Sequence, residues 1–219
     1  MSRSPFAGYA QRMAAFEESF IYPVVSSEFC GSKSVTEVMH SLGDNGAKIV
    51  QLREKNLSGR DLLILANQCR EITAGYGMLL IIDDRLDIAL ACGADGVHLG
   101  QDDLPVAVAR KIAPELLIGS STHNAAEVIA AQQADTGYLN IGPIYPTQTK
   151  SVACGALGVP LFTELKNLVH CPFSVMGGIK ARHLPELRAL GAEHIAMVTE
   201  ITTAPDVSAK VRELLKFWQ

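Results

Sequence analysis

Eight short apolar runs, each followed by a helical pattern or a helix-sized gap, constrain this chain more than any single residue does. The runs fall at 20–26, 47–53, 79–83, 96–99, 117–120, 138–142, 173–177 and 195–199. Most are apolar on both alternating faces, the pattern of strands covered on two sides. Helical patterns lie between them at 58–73, 104–112, 124–133, 181–190 and 205–216. Ser58 stands where an N-cap belongs, with Asp61 three residues on. Gly75 and Gly77 after that helix, and Gly191 after Leu190, stand where helices stop. Eight such units in 219 residues predict an α/β protein, a (β/α)8 TIM barrel forming a single domain over 1–219. Residues 1–18 read as an N-terminal helical extension. An open, doubly wound sheet has the same rhythm and is the alternative.

Composition narrows the function. The balance of 48% hydrophobic and 19% charged residues is that of a soluble globular chain rather than a disordered one. A net charge of −4 argues against nucleic acid as a partner, although a local basic pocket is compatible with it. The five cysteines, Cys30, Cys69, Cys92, Cys154 and Cys171, have no CxxC or metal-finger spacing and read as thiols in a reducing compartment. No apolar run approaches a membrane span and the opening residues carry no secretory stretch. The expected address is the cytoplasm, with no membrane partner; the oligomeric state is left open.

In a barrel the working groups gather at the C-terminal ends of the strands, and polar residues are concentrated there. Alternation after the second run puts Gln51, Arg53 and Lys55 on one face, two cations and an amide suited to an anion, although Gln51 also reads as an interior amide. Asp83-Asp84-Arg85 ends the third run, and Gln101-Asp102-Asp103 follows the fourth. Carboxylates at neighbouring strand ends can share Mg²⁺, which takes its remaining ligands from water and substrate phosphate. One of Asp102 and Asp103 also reads as an N-cap, and Asp84 as a partner of Arg85.

Ser121 ends the fifth run with a hydroxyl suited to phosphate, and Thr122 or Asn124 reads as a cap. His123 is a candidate acid–base group, although a lone histidine is more often structural. The segment 142–150, Gly-Pro-Ile-Tyr-Pro-Thr-Gln-Thr-Lys, crowds the hydroxyls of Thr147 and Thr149 against the Lys150 ammonium. Its two prolines restrict the backbone, a design that suits an oxyanion. Gly177-Gly178 before a helix, beside Val198-Thr199, reads as a second phosphate cradle.

Taken in order, these blocks resemble the thiamine-phosphate synthase family. The matching stretches are Gln51-Leu52-Arg53-Glu54-Lys55, Asp83-Asp84-Arg85, the run 93–103, Ser121-Thr122-His123, the segment 142–150, Gly177-Gly178-Ile179 and Val198-Thr199. Tyr22-Pro23-Val24 resembles the family's opening strand. The resemblance implies a transferase of thiamine biosynthesis on a (β/α)8 barrel. It would join 4-amino-5-hydroxymethyl-2-methylpyrimidine diphosphate to hydroxyethyl-methylthiazole phosphate, releasing diphosphate by a dissociative route. It further implies that Asp84 and Asp103 hold Mg²⁺, and that Gln51, Arg53, Lys55, Ser121 and Lys150 serve the pyrimidine diphosphate, with Asp83 beside them as a further substrate-binding position. Thr147, Thr149, Gly178, Val198 and Thr199 would serve the thiazole phosphate. Arg53, Lys55 and Lys150 would be the catalytic cations.

The chain departs from the family pattern in three places. Asp83 stands where asparagine is usual, adding negative charge near an anionic ligand. Glu200 stands where a small residue is commoner, and Thr199 where serine is. The loop 151–157, with Cys154, carries fewer charges than expected. Two rivals follow: a thiazole tautomerase on the same barrel, for which His123 would move the proton, and a non-catalytic thiamine-precursor binding protein.

Overall fold

The computed structural model describes residues 4–147 and 155–218. One helix, α1 (Tyr9–Glu17), stands ahead of the barrel. The strands are β1 (Ile21–Val25), β2 (Ile49–Leu52), β3 (Leu79–Asp83), β4 (Gly96–Leu99), β5 (Leu117–Thr122), β6 (Tyr138–Ile141), β7 (Phe173–Val175) and β8 (His194–Met197). Each pairs in parallel with the next, and β8 returns to β1 with Ile21 opposite Ile195. The barrel is therefore closed, which rules out the open sheet. Between strands run α2 (Val35–Asp44), α3 (Gly59–Tyr76), α4 (Leu86–Cys92), α5 (Val106–Ile112), α6 (Ala125–Gln133), α7 (Gly158–Lys166) and α8 (Leu184–Ala189). A short α9 (Thr199–Thr202) and then α10 (Val207–Leu215) follow β8.

The strands are largely apolar because each serves two cores. Val50, Leu80, Val97, Ile118, Leu139 and Ile195 face outward into one continuous layer against the helices. Their neighbours Ile49, Leu79, Ile81, Leu117, Tyr22 and Tyr138 fill the barrel interior. Interior space is tight: a Cβ on Gly119 would come within 2.1 Å of the Tyr138 ring, so only glycine admits that ring across the neighbouring strand. Phe16 of α1 closes the floor, fully buried and stacked on Tyr138 at 4.5 Å between ring centroids. Burying such a side chain contributes about 1.5–3 kcal/mol.

The floor also holds a buried ion cluster. Asp95, in the turn before β4, accepts from Arg70 Nη1 of α3 at 2.6 Å and from the Leu80 amide at 2.8 Å. The Arg12 guanidinium of α1 lies 3.7 Å from the second carboxylate oxygen, which also accepts from the Ser4 hydroxyl.

Several element boundaries differ from the expectations. α2, α4 and α7 occupy gaps to which no helix was assigned. α2 carries a full capping box: Ser34 accepts from the Glu37 amide, and Glu37 reaches back to the Ser34 amide at 2.6 Å. At α3, Ser58 does cap through the Asp61 amide at 3.2 Å, but Asp61 is a methylene shorter than glutamate and takes the Ser58 hydroxyl instead. α3 runs through Gly75 and stops at Gly77. The expected helix at 104–112 starts only at Val106, after Pro105, and its N-cap is Pro105 rather than Asp102 or Asp103. The expected helix at 181–190 is a 3-10 turn, Ala181–His183, followed by α8.

Candidate active site

Two strand ends bring opposite charges together on one side of the barrel mouth. β2 stops at Leu52, so Arg53 and Lys55 lie beyond the pleat that was expected to align them. They converge nevertheless, because Asp83 at the end of β3 draws both. Its carboxylate lies 3.0 Å from Lys55 Nζ and 3.6 Å from Arg53 Nε. Lys55 also donates to Asp84. Arg85, a candidate partner for Asp84, pairs with Asp87 instead at 2.6 Å.

The backbone at Asp84 is held in the left-handed region with φ of 60°, its amide donating to the His98 carbonyl of β4 at 2.8 Å. Aspartate tolerates that conformation better than most side chains, and such strain collects at functional sites. Asp103 folds back to accept from the Gly100 amide at 2.7 Å.

Carboxylates outnumber cations in this cluster, and the titration behaviour follows. Burial and the neighbouring Asp84 push the Asp83 carboxyl up to about 6, against the pull of Lys55 and Arg53. Burial and Asp84 likewise raise the Asp103 carboxyl. For Lys55, burial opposes the charge, but Asp83 and Asp84 outweigh it and hold the ammonium above the usual lysine range. Asp84 and Asp103 are thus like-charged neighbours, a donor set that a hard divalent cation relieves. Among the described residues no three histidine, cysteine, aspartate or glutamate side chains gather as a metal cage. Two carboxylates fit Mg²⁺ because that ion keeps waters and takes phosphate oxygens for the rest.

Arg53 leads from this cluster into a cleft at the C-terminal ends of β5 to β8, of roughly 730 Å³ counting space open to solvent. Ser121, Thr147, Gly178, Val198 and Thr199 also line it, bringing together five residues expected at the two anion sites. The loop after β6 is held, as its prolines suggested: Ile144 and Tyr145 donate to the Met176 and Gly177 carbonyls at 2.8 and 2.9 Å. Tyr145 stacks on His183 at 3.9 Å. Gly178 has φ of 63°, and a Cβ there would lie 2.4 Å from the Pro146 carbonyl oxygen. Only glycine lets the loop after β7 lie against the loop after β6. The Gly177-Gly178 pair does not open a helix directly, since residues 179 and 180 intervene before the 3-10 turn.

Thr199 was read as the end of a strand, but it opens α9, with Val198 before it. Glu200 lines the cleft without standing alone. It pairs with Lys180 at 3.3 Å and Lys210 at 3.5 Å and accepts from the Ala181 amide at 3.1 Å, so its charge is balanced. Gln51 is the interior amide of its alternative reading, 3% exposed and donating to the Tyr22 hydroxyl at 3.1 Å. His123 donates its backbone amide to Glu127, and its Nδ1 meets the same carboxylate at 2.8 Å; Asn124 caps α6. Thr149, Lys150 and Cys154 lie outside the described residues.

One cleft residue escaped the sequence reading. Asn140 of β6 is buried, its Nδ2 meeting Met176 Sδ at 3.1 Å while its Oδ1 has no partner. An amide in the middle of the apolar run Tyr-Leu-Asn-Ile was the available signal. Beneath the cleft, His98 of β4 meets Ser121 Oγ at 2.9 Å and the Tyr138 hydroxyl at 3.1 Å.

A closed (β/α)8 barrel with a surplus of acid beside two cations, opening into a cleft of hydroxyls and glycine, defines a barrel enzyme for small anionic substrates. The chain belongs to the Thiamine monophosphate synthase family, whose sequence pattern matches residues 21–201. It is 38% identical over 196 residues to the thiamine-phosphate synthase of Shouchella clausii, covering 89% of this chain and 94% of that relative. The thiamine phosphate pyrophosphorylase from Pyrococcus furiosus superposes with a TM-score of 0.84 at 30% identity, over 93% of this chain and 96% of that one. The 3-hexulose-6-phosphate synthase from Salmonella typhimurium, at 16% identity and a TM-score of 0.66 over 90% and 97%, shares the fold. The protein is accordingly a transferase, and no helix among its described residues is long and apolar enough to cross a membrane.

Proposed function

We propose that the protein joins 4-amino-5-hydroxymethyl-2-methylpyrimidine diphosphate to hydroxyethyl-methylthiazole phosphate, releasing diphosphate and forming thiamine phosphate. The observation that carries this reading is the adjacency of the Lys55–Asp83–Asp84–Asp103 cluster to the Thr147–Gly178–Thr199 cleft, with Arg53 belonging to both. One region suits a diphosphate and its counter-ion; the other suits a phosphate monoester.

Asp84 and Asp103 would hold Mg²⁺, which when bound neutralises charge on the leaving diphosphate. Arg53 and Lys55 stabilise the same developing charge with donors already in position, and Lys150 joins them by family resemblance. The aminopyrimidine ring supports a positive methylene, so departure precedes attack by the thiazole nitrogen and no protein nucleophile is needed. Ser121 orients the pyrimidine substrate, and the hydroxyls of Thr147 and Thr199 with the Gly178 backbone hold the thiazole phosphate. The apolar wall of Ile179, Met176 and Met197 keeps water from the cation. A cytoplasmic address fits substrates of this kind.

A tautomerase reading rests on His123, which lines the cleft with Glu127 on its Nδ1. It leaves the acidic cluster and Lys55 without a task. The test is to incubate the purified protein with both substrates, with and without Mg²⁺, and to quantify thiamine phosphate as fluorescent thiochrome. Magnesium-dependent product is expected. Folded protein that binds thiazole phosphate yet makes no product would move the reading to the tautomerase or the binding protein.

A further inference from the structure

Five side chains from five strands form one hydrogen-bonded line across the barrel beneath the cleft. Gln51 of β2 donates from Nε2 to the Tyr22 hydroxyl of β1 at 3.1 Å. Tyr22 meets the Tyr138 hydroxyl of β6 at 2.8 Å, Tyr138 meets His98 Nδ1 of β4 at 3.1 Å, and His98 Nε2 meets Ser121 Oγ of β5 at 2.9 Å. All five residues are buried. Each phenol has one proton to give and sits between two partners in the line, so one fixed end sets every later bond. Gln51 is that end. Because its amide donates, Tyr22 gives its proton to Tyr138, and Tyr138 gives its own to His98 Nδ1. The imidazole then carries its proton on Nε2 and donates to Ser121.

We infer that this relay makes Ser121 a donor to substrate: its oxygen accepts from His98, which leaves its own proton free to turn toward the cleft. Burial supports the relay by raising both phenol pKa values, which keeps Tyr22 and Tyr138 protonated. A second observation names what Ser121 faces. Asn140 sits opposite Ser121 in the β5–β6 register, and its buried Oδ1 has no partner. A donor beside an unsatisfied acceptor matches a ring nitrogen next to an exocyclic amine, the edge that a 4-aminopyrimidine offers. His98, Tyr138 and Tyr22 are thus positioning residues that select the pyrimidine half of the substrate pair. This assignment of the edge rests on the proposed reaction; the direction of the relay does not.

The first test therefore needs no substrate. ¹⁵N NMR of histidine-labelled protein, with His98 assigned from the His98→Gln variant, is expected to show the Nε2-protonated tautomer. Gln51→Glu places an acceptor at the head of the line and is expected to reverse it, moving the His98 proton to Nδ1. An Nδ1-protonated His98 in the parent protein, or the same tautomer in both proteins, would overturn the relay.

The second test uses Tyr138→Phe, with circular dichroism to confirm folding, and two probes measured by calorimetry. The alcohol 4-amino-5-hydroxymethyl-2-methylpyrimidine is expected to bind about five- to tenfold more weakly, the worth of one hydrogen bond, while inorganic diphosphate is unaffected. Loss confined to diphosphate would overturn the pyrimidine edge, showing that Ser121 donates to the anion. No change for either probe would overturn the role of the relay in binding.

Discussion

Buried charge collects at both ends of this barrel, and the two clusters are balanced in opposite senses. At the closed end one carboxylate, Asp95, meets two guanidinium groups and accepts from the Leu80 amide and the Ser4 hydroxyl. At the open end three carboxylates meet two cations, and one of them, Asp83, has a pKa near 6. At the closed end the surplus is cationic and buried, with Arg12 Nε and Arg70 Nε left without a hydrogen-bond partner. At the open end it is acidic and borders the cleft, where a ligand or its metal can complete it. Perturbed carboxylates in a cleft point to function for this reason, whereas a buried pair such as Arg70–Asp95 is a structural commitment.

The largest expected effect separates activity from stability. Lys55→Ala at the open end should lower kcat about 10²- to 10³-fold, as loss of a positioned charge-stabilising donor does. The Lys55 side chain is 38% exposed, so its ion pairs contribute under about 1 kcal/mol and thermal unfolding should shift little. A large fall in Tm with normal kcat would make the open end structural too.

Asp95→Asn at the closed end should do the reverse. It strands the Arg70 guanidinium, costing about 3–5 kcal/mol in urea denaturation, while kcat per folded molecule holds.

The smallest effect sharpens the comparison through pH. Asp83 titrates near 6 when folded and near 3.8 when unfolded, so the folded state binds the extra proton between those values. Its charge therefore costs stability that is absent below about pH 4, grows to about pH 6 and is then constant, on the order of 2–3 kcal/mol. In metal-free buffer, Asp83→Asn should flatten the stability profile over that window. An unchanged profile would show that Asp83 is not the proton-binding group.

Much of this was legible before the structure. Eight apolar runs announced eight strands, because covering both faces leaves no room for polar alternation. Closure was not legible, since the pairing of Ile21 with Ile195 leaves no local trace. The cations and acids at strand ends could be named from sequence, but their pairing could not. Arg53 and Lys55 were expected to align by the pleat, yet they lie past its end and are drawn together by Asp83. The relay stayed hidden because Tyr22, His98 and Tyr138 carry only one or two polar atoms on otherwise core-like side chains, brought together from distant strands. Glu200 looked like a threat to phosphate only because Lys180 and Lys210, which neutralise it, come from other turns of the chain. The capping box of α2, by contrast, was open to reading at Ser34 and Glu37.

The way α1 closes the floor bears on the order of assembly. Phe16 packs against Tyr138 of β6 and lies 4.6 Å between ring centroids from His194 at the start of β8. A helix that precedes every strand therefore lacks part of its seat until the last strand exists. β1 likewise waits for β8 before its second edge is covered. A chain emerging from the ribosome would hold its opening segment incompletely seated through most of its synthesis, with the β1 edge and part of the Phe16 face exposed. Truncation anywhere short of residue 194 would make that exposure permanent.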